Sequence, residues 1–242
     1  DVRAGGHWGL GVPEAYRLGM RQGHFQMLRD ACLYGMRPEN GEGLLNAPGA
    51  TFTNLPADST GHTTVVTYDN GEMAFYLLSI ILGIKVRTTQ LGIGRHFSFL
   101  GPQRTLGQFQ YNVVQVTQFQ RPGAGTASTT ETTQMVAMAN GDTVSWGFDD
   151  TLEGAGPNGS DYVICSMPEV EVIGGDGINT NVFASNTPNN PACVTQYCDM
   201  PAPREIVSPM PDGYTNVLTE HRATSGWAVR PQALTVIAMP HS

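Results

Sequence analysis

Residues 28–46 read LRDACLYGMRPENGEGLLN, and the reading of this stretch decides the fold. Its first part completes a helical pattern. Its second part, from Arg37 on, stops that pattern with Pro38, Gly41 and Gly43, and tucks in a short apolar pair, Leu44 and Leu45. Upstream, the spacing predicts one long helix over 13–36. Pro13 suits the first helical position, and Tyr16, Met20, Met27, Ala31 and Tyr34 recur at intervals of three, four and seven, with Leu28 and Cys32 widening the same face. That stripe is expected to pack on a core. Gly19 and Gly23 weaken the helix by about 1 kcal/mol each relative to alanine. Glycines kept at that cost point to close backbone approach at a subunit contact. Arg17, Arg21 and Arg29 set positive charge around the helix.

Downstream of the turn, residues 51–68 are threonine-rich and read as irregular, with one short strand at 64–67. Asp69 and Glu72 form a capping box before an almost wholly apolar run, 72–82, that Gly83 is expected to stop. A helix apolar on nearly all faces belongs inside a core. From His96 the texture becomes strand-like. Strands are expected at 96–100, 111–119, 162–166, 170–173, 205–208, 216–221, 227–229 and 234–239, with a short helix at 103–110. Arg121-Pro122-Gly123 and residues 210–213 read as turns. Asn140-Gly141, flanked by 135–139 and 143–146, reads as a type I′ hairpin. Residues 147–161 and 174–191 are glycine-rich loops. The class is therefore α+β, with a change of character near residue 104.

Composition narrows the function. Charged residues make up 14 % of the chain and the net charge is -8. Residues 1–121 carry 10 basic and 8 acidic side chains, and residues 122–242 carry 3 basic and 13 acidic ones. No basic stripe of the kind that neutralises phosphates is present in the sequence. The 12-residue apolar run at 73–84 is too short to span a bilayer. Residues 1–12 contain no apolar stretch, so no secretory leader is expected. Of 13 basic residues, only Lys85 is lysine; the arginine bias suits forked contacts between subunits.

The common catalytic motifs are absent. The sequence contains no nucleophile elbow, no phosphate-binding P-loop and no H-E-x-x-H. The six histidines, His7, His24, His62, His96, His221 and His241, are dispersed. Cys165, Cys193 and Cys198 leave open a three-cysteine metal site, a local disulfide or buried thiols, with Cys32 apart from them. Asp149, Asp150, Glu153 and Asp161 sit in or beside a glycine-rich loop, so calcium is open too, although the spacing is not that of an EF-hand. No cofactor and no metal are expected, and no enzyme activity.

Two segments carry a family resemblance. The helix end followed by Gly43, Leu44, Leu45 and Asn46 resembles the end of the spine helix and the turn after it in tailed-bacteriophage major capsid proteins of the Hong Kong 97 fold; encapsulin shells carry a similar turn. The segment YTNVLTEHRATSGWAVRPQALTVIAMP, 214–240, is similar to their closing strands, with Arg222, Gly226, Arg230, Pro231 and Ala233 at the matching positions. The resemblance implies a peripheral domain with a spine helix, residues 1–104 completed by 206–242, and an inserted β-rich axial domain, residues 105–205. It implies a structural subunit of an icosahedral shell around a DNA genome, assembled in the host cytoplasm and found in the virion. Its partners would be copies of itself in hexamers and pentamers, with decoration or scaffolding proteins and only non-specific DNA contact, and no membrane. Arg17, Arg21, Arg29 and Arg222 are the expected intersubunit contacts. Such proteins carry an N-terminal arm and an extended loop before the spine helix, and only about twelve residues precede Pro13 here. Two other readings stay open. One is a secreted β-rich binding or adhesion protein with a disulfide among the late cysteines. The other is a hydrolase built on Asp149, Asp150, Glu169 or Glu171.

Overall fold

The computed structural model describes residues 12–88, 94–111, 113–116, 125–171, 192–194, 196–197, 204–209, 215–220, 222, 227–228 and 230–241. In chain order the elements are helix α1 (Val12–Tyr34), strand β1 (Thr51–Asn54), helix α2 (Asn70–Arg87), strand β2 (His96–Gly101), helix α3 (Gln103–Tyr111) and strands β3 (Val113–Val116) and β4 (Gly125–Ser128). Helix α4 (Thr129–Ala139) follows, then strands β5 (Thr143–Phe148), β6 (Asp161–Ser166), β7 (Glu169–Glu171), β8 (Ala192–Val194), β9 (Gln196–Tyr197), β10 (Arg204–Pro209), β11 (Thr215–Glu220), β12 (Trp227–Ala228) and β13 (Leu234–Met239). The chain forms two compact units, one of residues 1–47 and 196–228, the other of residues 48–195 and 229–242. Residue 104 lies inside the second unit.

The second unit is organised by a mixed five-stranded sheet in the order β1-β13-β6-β2-β5. Within it, the six residues of β13, LTVIAM, are all buried. A strand covered on both faces need not alternate, which is why it reads as an apolar run broken only by Thr235. β13 pairs parallel with β1 and antiparallel with β6, and β2 pairs antiparallel with β6 and parallel with β5. Phe97, Phe99, Val163, Cys165, Ile237 and Met239 from the sheet pack with Met73, Leu77, Ile81 and Ile84 of α2 and Leu106 and Phe109 of α3. Outside the sheet, β3 pairs with β4 and β7 with β8.

Half of the expected capping box starts helix α2: the Asp69 carboxylate accepts from the Glu72 amide at 2.9 Å, but the Glu72 carboxylate accepts from Ser59 N–H at 2.9 Å and Asp69 N–H donates to Asp58 Oδ2 at 3.1 Å instead. It runs through Gly83 to Arg87, one turn beyond the expected stop. Packing of Ile84 and Lys85 outweighs the single-glycine cost. Nor is α2 buried on all sides, because Phe75, Leu82 and Val86 are exposed. The strand expected at 64–67 is a turn instead, with Tyr68 N–H donating to the Thr64 carbonyl at 3.0 Å; the strand of this region is β1. Asn140-Gly141 does not form a hairpin. Ser128 and Glu131 make a reciprocal capping box that starts α4, so residues 135–139 are helical and Asn140 is its C-cap. The positive φ of Gly141 (+79°) serves the exit from that helix into β5.

In the first unit, α1 begins near the expected start but ends at Tyr34, two residues before the expected end, and β10 and β11 form an antiparallel hairpin in the register Arg204↔Glu220 to Pro209↔Thr215. β9 pairs with β12. The apolar stripe expected on α1 is covered only toward the helix end: Tyr16 is 71 % exposed and Met20 and Met27 are also exposed, whereas Leu28, Cys32 and Tyr34 are half-buried and Ala31 is buried. The turn at 210–213, Gly226, Cys198, the loop 174–191 and the Arg121-Pro122-Gly123 turn lie outside the described residues.

Candidate functional site

The turn after α1 is built around two glycines. Gly35, with φ +78°, ends the helix, its N–H donating to the Ala31 carbonyl at 3.0 Å. The chain then folds back along the helix end, where Leu44 N–H donates to the Cys32 carbonyl at 3.0 Å and Leu45 N–H to the Leu33 carbonyl at 2.9 Å. Asn46 closes the turn from the side. Its Oδ1 accepts from Gly43 N–H at 2.7 Å, and its Nδ2 donates to the carbonyls of Tyr34 and Pro38 at 2.9 and 2.8 Å. Gly43 is buried, and a Cβ there would fall onto the Leu33 carbonyl oxygen and the Tyr34 carbonyl carbon, with Gly35 N at 2.6 Å. Gly43 therefore supplies room, Leu44 and Leu45 supply two backbone bonds with apolar cover, and Asn46 supplies the side-chain clasp.

Four arginines were expected to reach other subunits. Arg17 pairs with Glu205 of β10 at 2.7 Å, both partly exposed. Arg17, Met20, Arg21, His24, Phe25, Glu205 and Thr219 line a groove of ≈ 400 Å³ in the first unit. Arg21 is exposed and makes no ion pair among the described residues. Arg29 lies 3.7 Å from its neighbour Asp30. Arg222 is 70 % exposed and pairs with Glu220 at 2.6 Å. In the second unit, Arg230 precedes the short 3-10 turn Pro231–Ala233, and its carbonyl accepts from Ala233 N–H at 2.9 Å. Pro231 lies against Gly49. Arg87 reaches the same turn, its Nε donating to the Gln232 carbonyl at 3.2 Å and its Nη2 to Thr235 Oγ1 at 2.6 Å.

The acidic loop does not form an open carboxylate cluster. Asp149 Oδ1 accepts from Thr151 N–H at 3.0 Å, and Asp150 Oδ1 from Gln103 N–H at 2.8 Å. Glu153 pairs with Arg104 at 2.7 Å. Asp161 is fully buried at the start of β6. It takes both Nε (2.7 Å) and Nη2 of Arg104, the Thr105 hydroxyl at 2.6 Å and Gly154 N–H at 2.8 Å. Burial raises its pKa, and these four donors outweigh that, holding the carboxyl below the usual carboxylate range. Among the described residues, no group of three or more His, Cys, Asp or Glu could hold a metal ion. The side chains of Glu169, Glu171 and Cys193 lie outside the described residues.

Two ionic contacts on buried carboxylates were invisible in the sequence, because their partners stand 57 residues apart. One is Arg104–Asp161. The other is Lys85–Asp142, where Nζ donates to both carboxylate oxygens at 2.8 and 3.0 Å and Arg95 N–H adds a third bond at 2.9 Å. A third polar knot ties the loop before α2: Asp58 accepts from the amides of Thr60, His62 and Asp69 at 2.9, 2.7 and 3.1 Å and from the Thr60 hydroxyl at 2.8 Å. Burial raises the Asp58 pKa, but these bonds prevail and depress it strongly. His62 Nδ1 rests 2.7 Å from Thr60 Oγ1 and 3.4 Å from Asp58 Oδ2. These contacts are ties between segments, each satisfied within the fold.

No protein-family model matches the chain, and no curated protein matches it. Solved structures do match. The capsid of Myoviridae phage XM1 aligns over 98 % of this chain and 68 % of its own, with a TM-score of 0.63 and 9 % sequence identity. At that identity the likeness is one of fold: the mixed α+β architecture described above is shared with a phage capsid protein.

Proposed function

We propose that the chain is a structural subunit of an icosahedral phage-type capsid shell, of the Hong Kong 97 type, that encloses a DNA genome in the virion. The observation that carries this reading is the fold likeness to a phage capsid along nearly the whole chain. The sequence resemblance at 28–46 and 214–240 supports it independently. In this reading the unit of residues 1–47 and 196–228, with α1 as spine helix, is the peripheral domain. The sheet-centred unit of residues 48–195 and 229–242 is the axial domain. On this reading the domain boundaries lie at 47, 195 and 228 rather than at the expected 104 and 205; the sharing of one sheet by β1, β2, β5, β6 and β13 supports that division.

The exposed apolar residues of α1 acquire a purpose on this reading. A 23-residue helix that leaves Tyr16, Leu18 and Phe25 uncovered has surface for neighbouring copies, and Arg21 and Arg29 are the charged groups beside it. Copies arranged in hexamers and pentamers meet through heterologous contacts. Arg17 and Arg222 already hold internal partners, so their contribution to such contacts is through the shape of the paired groups. The protein would assemble in the host cytoplasm, take decoration or scaffolding proteins as partners, and carry out no catalysis.

Native mass spectrometry with negative-stain microscopy of the purified protein tests this. Hexameric or pentameric capsomers, or closed shells, are the expected species. A monomer that stays monomeric at high concentration would refute the proposal.

A further inference from the structure

The second unit carries an apolar face that the capsid fold alone does not assign. Phe75, Leu82 and Val86 stand at intervals of seven and four along α2 and are 75 %, 55 % and 54 % exposed. That spacing aligns them as one ridge. Beside the ridge runs a groove of ≈ 400 Å³ between α2 and α4, walled by Leu78, Leu82 and Val136. Val136, Met135 and Met138 continue the apolar surface along α4, each at least 41 % exposed. Among the described residues, the only ionisable ones lining the groove are Lys85 and Asp142, and they neutralise one another at its floor.

We infer that this α2–α4 face is a contact surface for the same unit of a second copy of the chain. The inference rests on the shell reading and gives it a particular surface. Area is the first argument. The six exposed side chains present on the order of 600 Å², the most that monomeric proteins usually leave uncovered. That is most of the roughly 800 Å² that each partner contributes to a standard stable interface. Shape is the second. A ridge and a groove lie side by side on one face, so the ridge of one copy can seat in the groove of the next, the heterologous pairing that a ring of copies uses. Chemistry is the third. With its charge pair internally satisfied, the groove's described lining offers no free cation for a phosphate or nucleic acid, and no set of converging polar groups to orient a small ligand. What fits is another apolar helical surface.

The test is Leu82→Asp with Val136→Asp, measured by sedimentation velocity and native mass spectrometry against wild type, with Tyr111→Asp as a control. Tyr111 is 83 % exposed at the end of α3. Because all three positions are at the surface, thermal melting followed by circular dichroism should be near wild type and verifies folding. The expected result is at least a tenfold weakening of assembly in the double variant and none in the control. Assembly unchanged in the folded double variant overturns this inference while leaving the shell reading intact. Wild type that never assembles overturns both. A photo-crosslinking benzoylphenylalanine placed at Phe75 supplies a readout that does not depend on folding of a variant. Cross-links to α2 or α4 of a second copy support the inference, and cross-links found elsewhere overturn it.

Discussion

Gly43→Ala is the sharpest perturbation available, because the site is wholly steric. Its Cβ would lie 2.6 Å from Gly35 N and still closer to the Leu33 and Tyr34 carbonyl groups, all of them backbone atoms that cannot swing aside. The chain must therefore back away from the end of α1. Doing so stretches the bonds from Leu44 and Leu45 to Cys32 and Leu33, and the Gly43–Asn46 bond. Losing two such bonds costs about 2 kcal/mol net. Overpacking adds about 2 kcal/mol. The stiffer unfolded chain returns about 0.7 kcal/mol. The expected destabilisation is thus about 3 kcal/mol, roughly a hundredfold in the opening equilibrium of this turn. Amide hydrogen exchange at Leu44 and Leu45 measures it directly, and urea unfolding reports whether the loss spreads. Gly19→Ala and Gly23→Ala are the internal controls. A Cβ at either meets nothing within 4 Å, so each should stabilise α1 by about 0.5–1 kcal/mol. A Gly43→Ala protein within about 0.5 kcal/mol of wild type, roughly the accuracy expected of such comparisons, would refute the reasoning.

Three further outcomes are expected. Lys85→Met leaves the buried Asp142 carboxylate without its cation and should cost about 3–5 kcal/mol; the double variant with Asp142→Leu should recover much of that, and strictly additive losses in the denaturant-unfolding cycle would contradict a direct pair. Asp58 and Asp161 both have folded-state pKa values below the unfolded one, so their contribution is complete above about pH 4 and is lost as pH falls through the folded values. Urea midpoints should drop below that pH, and Asp161→Asn should lower stability near neutrality while flattening the acid limb; an unchanged acid limb would count against the assignment. Burial pushes the Cys165 thiol well above its usual range, against a smaller opposing effect of Arg87. Mapping of iodoacetamide adducts on the native protein should find half-buried Cys32 modified and Cys165 intact until urea is added, and rapid native labelling of Cys165 would show that strand β6 opens.

The sequence by itself determined those features whose causes are local. Helix α1, the Asp69 cap of α2 and the strands β10, β11 and β13 all follow from spacing, capping and turn residues within a few positions of one another. The tertiary structure decided what depends on distant partners. β1 reads as four ordinary threonine-rich residues, and it becomes a strand because Thr51–Asn54 lie parallel beside Thr235–Ala238. Asn140-Gly141 carries the signal of a hairpin, but the capping box at Ser128 and Glu131 lets residues 129–139 form a helix packed on α2, so the positive φ of Gly141 serves a helix exit instead. At the candidate site, the Gly43-Leu44-Leu45-Asn46 turn was legible as a motif. The reason for its glycine was not, because that reason is the nearness in space of the Leu33 carbonyl, ten positions away along the chain. The arginines of α1 were legible as charges, whereas the pairing of Arg17 with Glu205, and the ties of Lys85 to Asp142 and Arg104 to Asp161, required the fold to bring together residues 57 or more positions apart. Short-range periodicity is written in the order of residues; the choice between exposed and covered apolar faces, on α1 and α2 alike, is made only when the chain is packed.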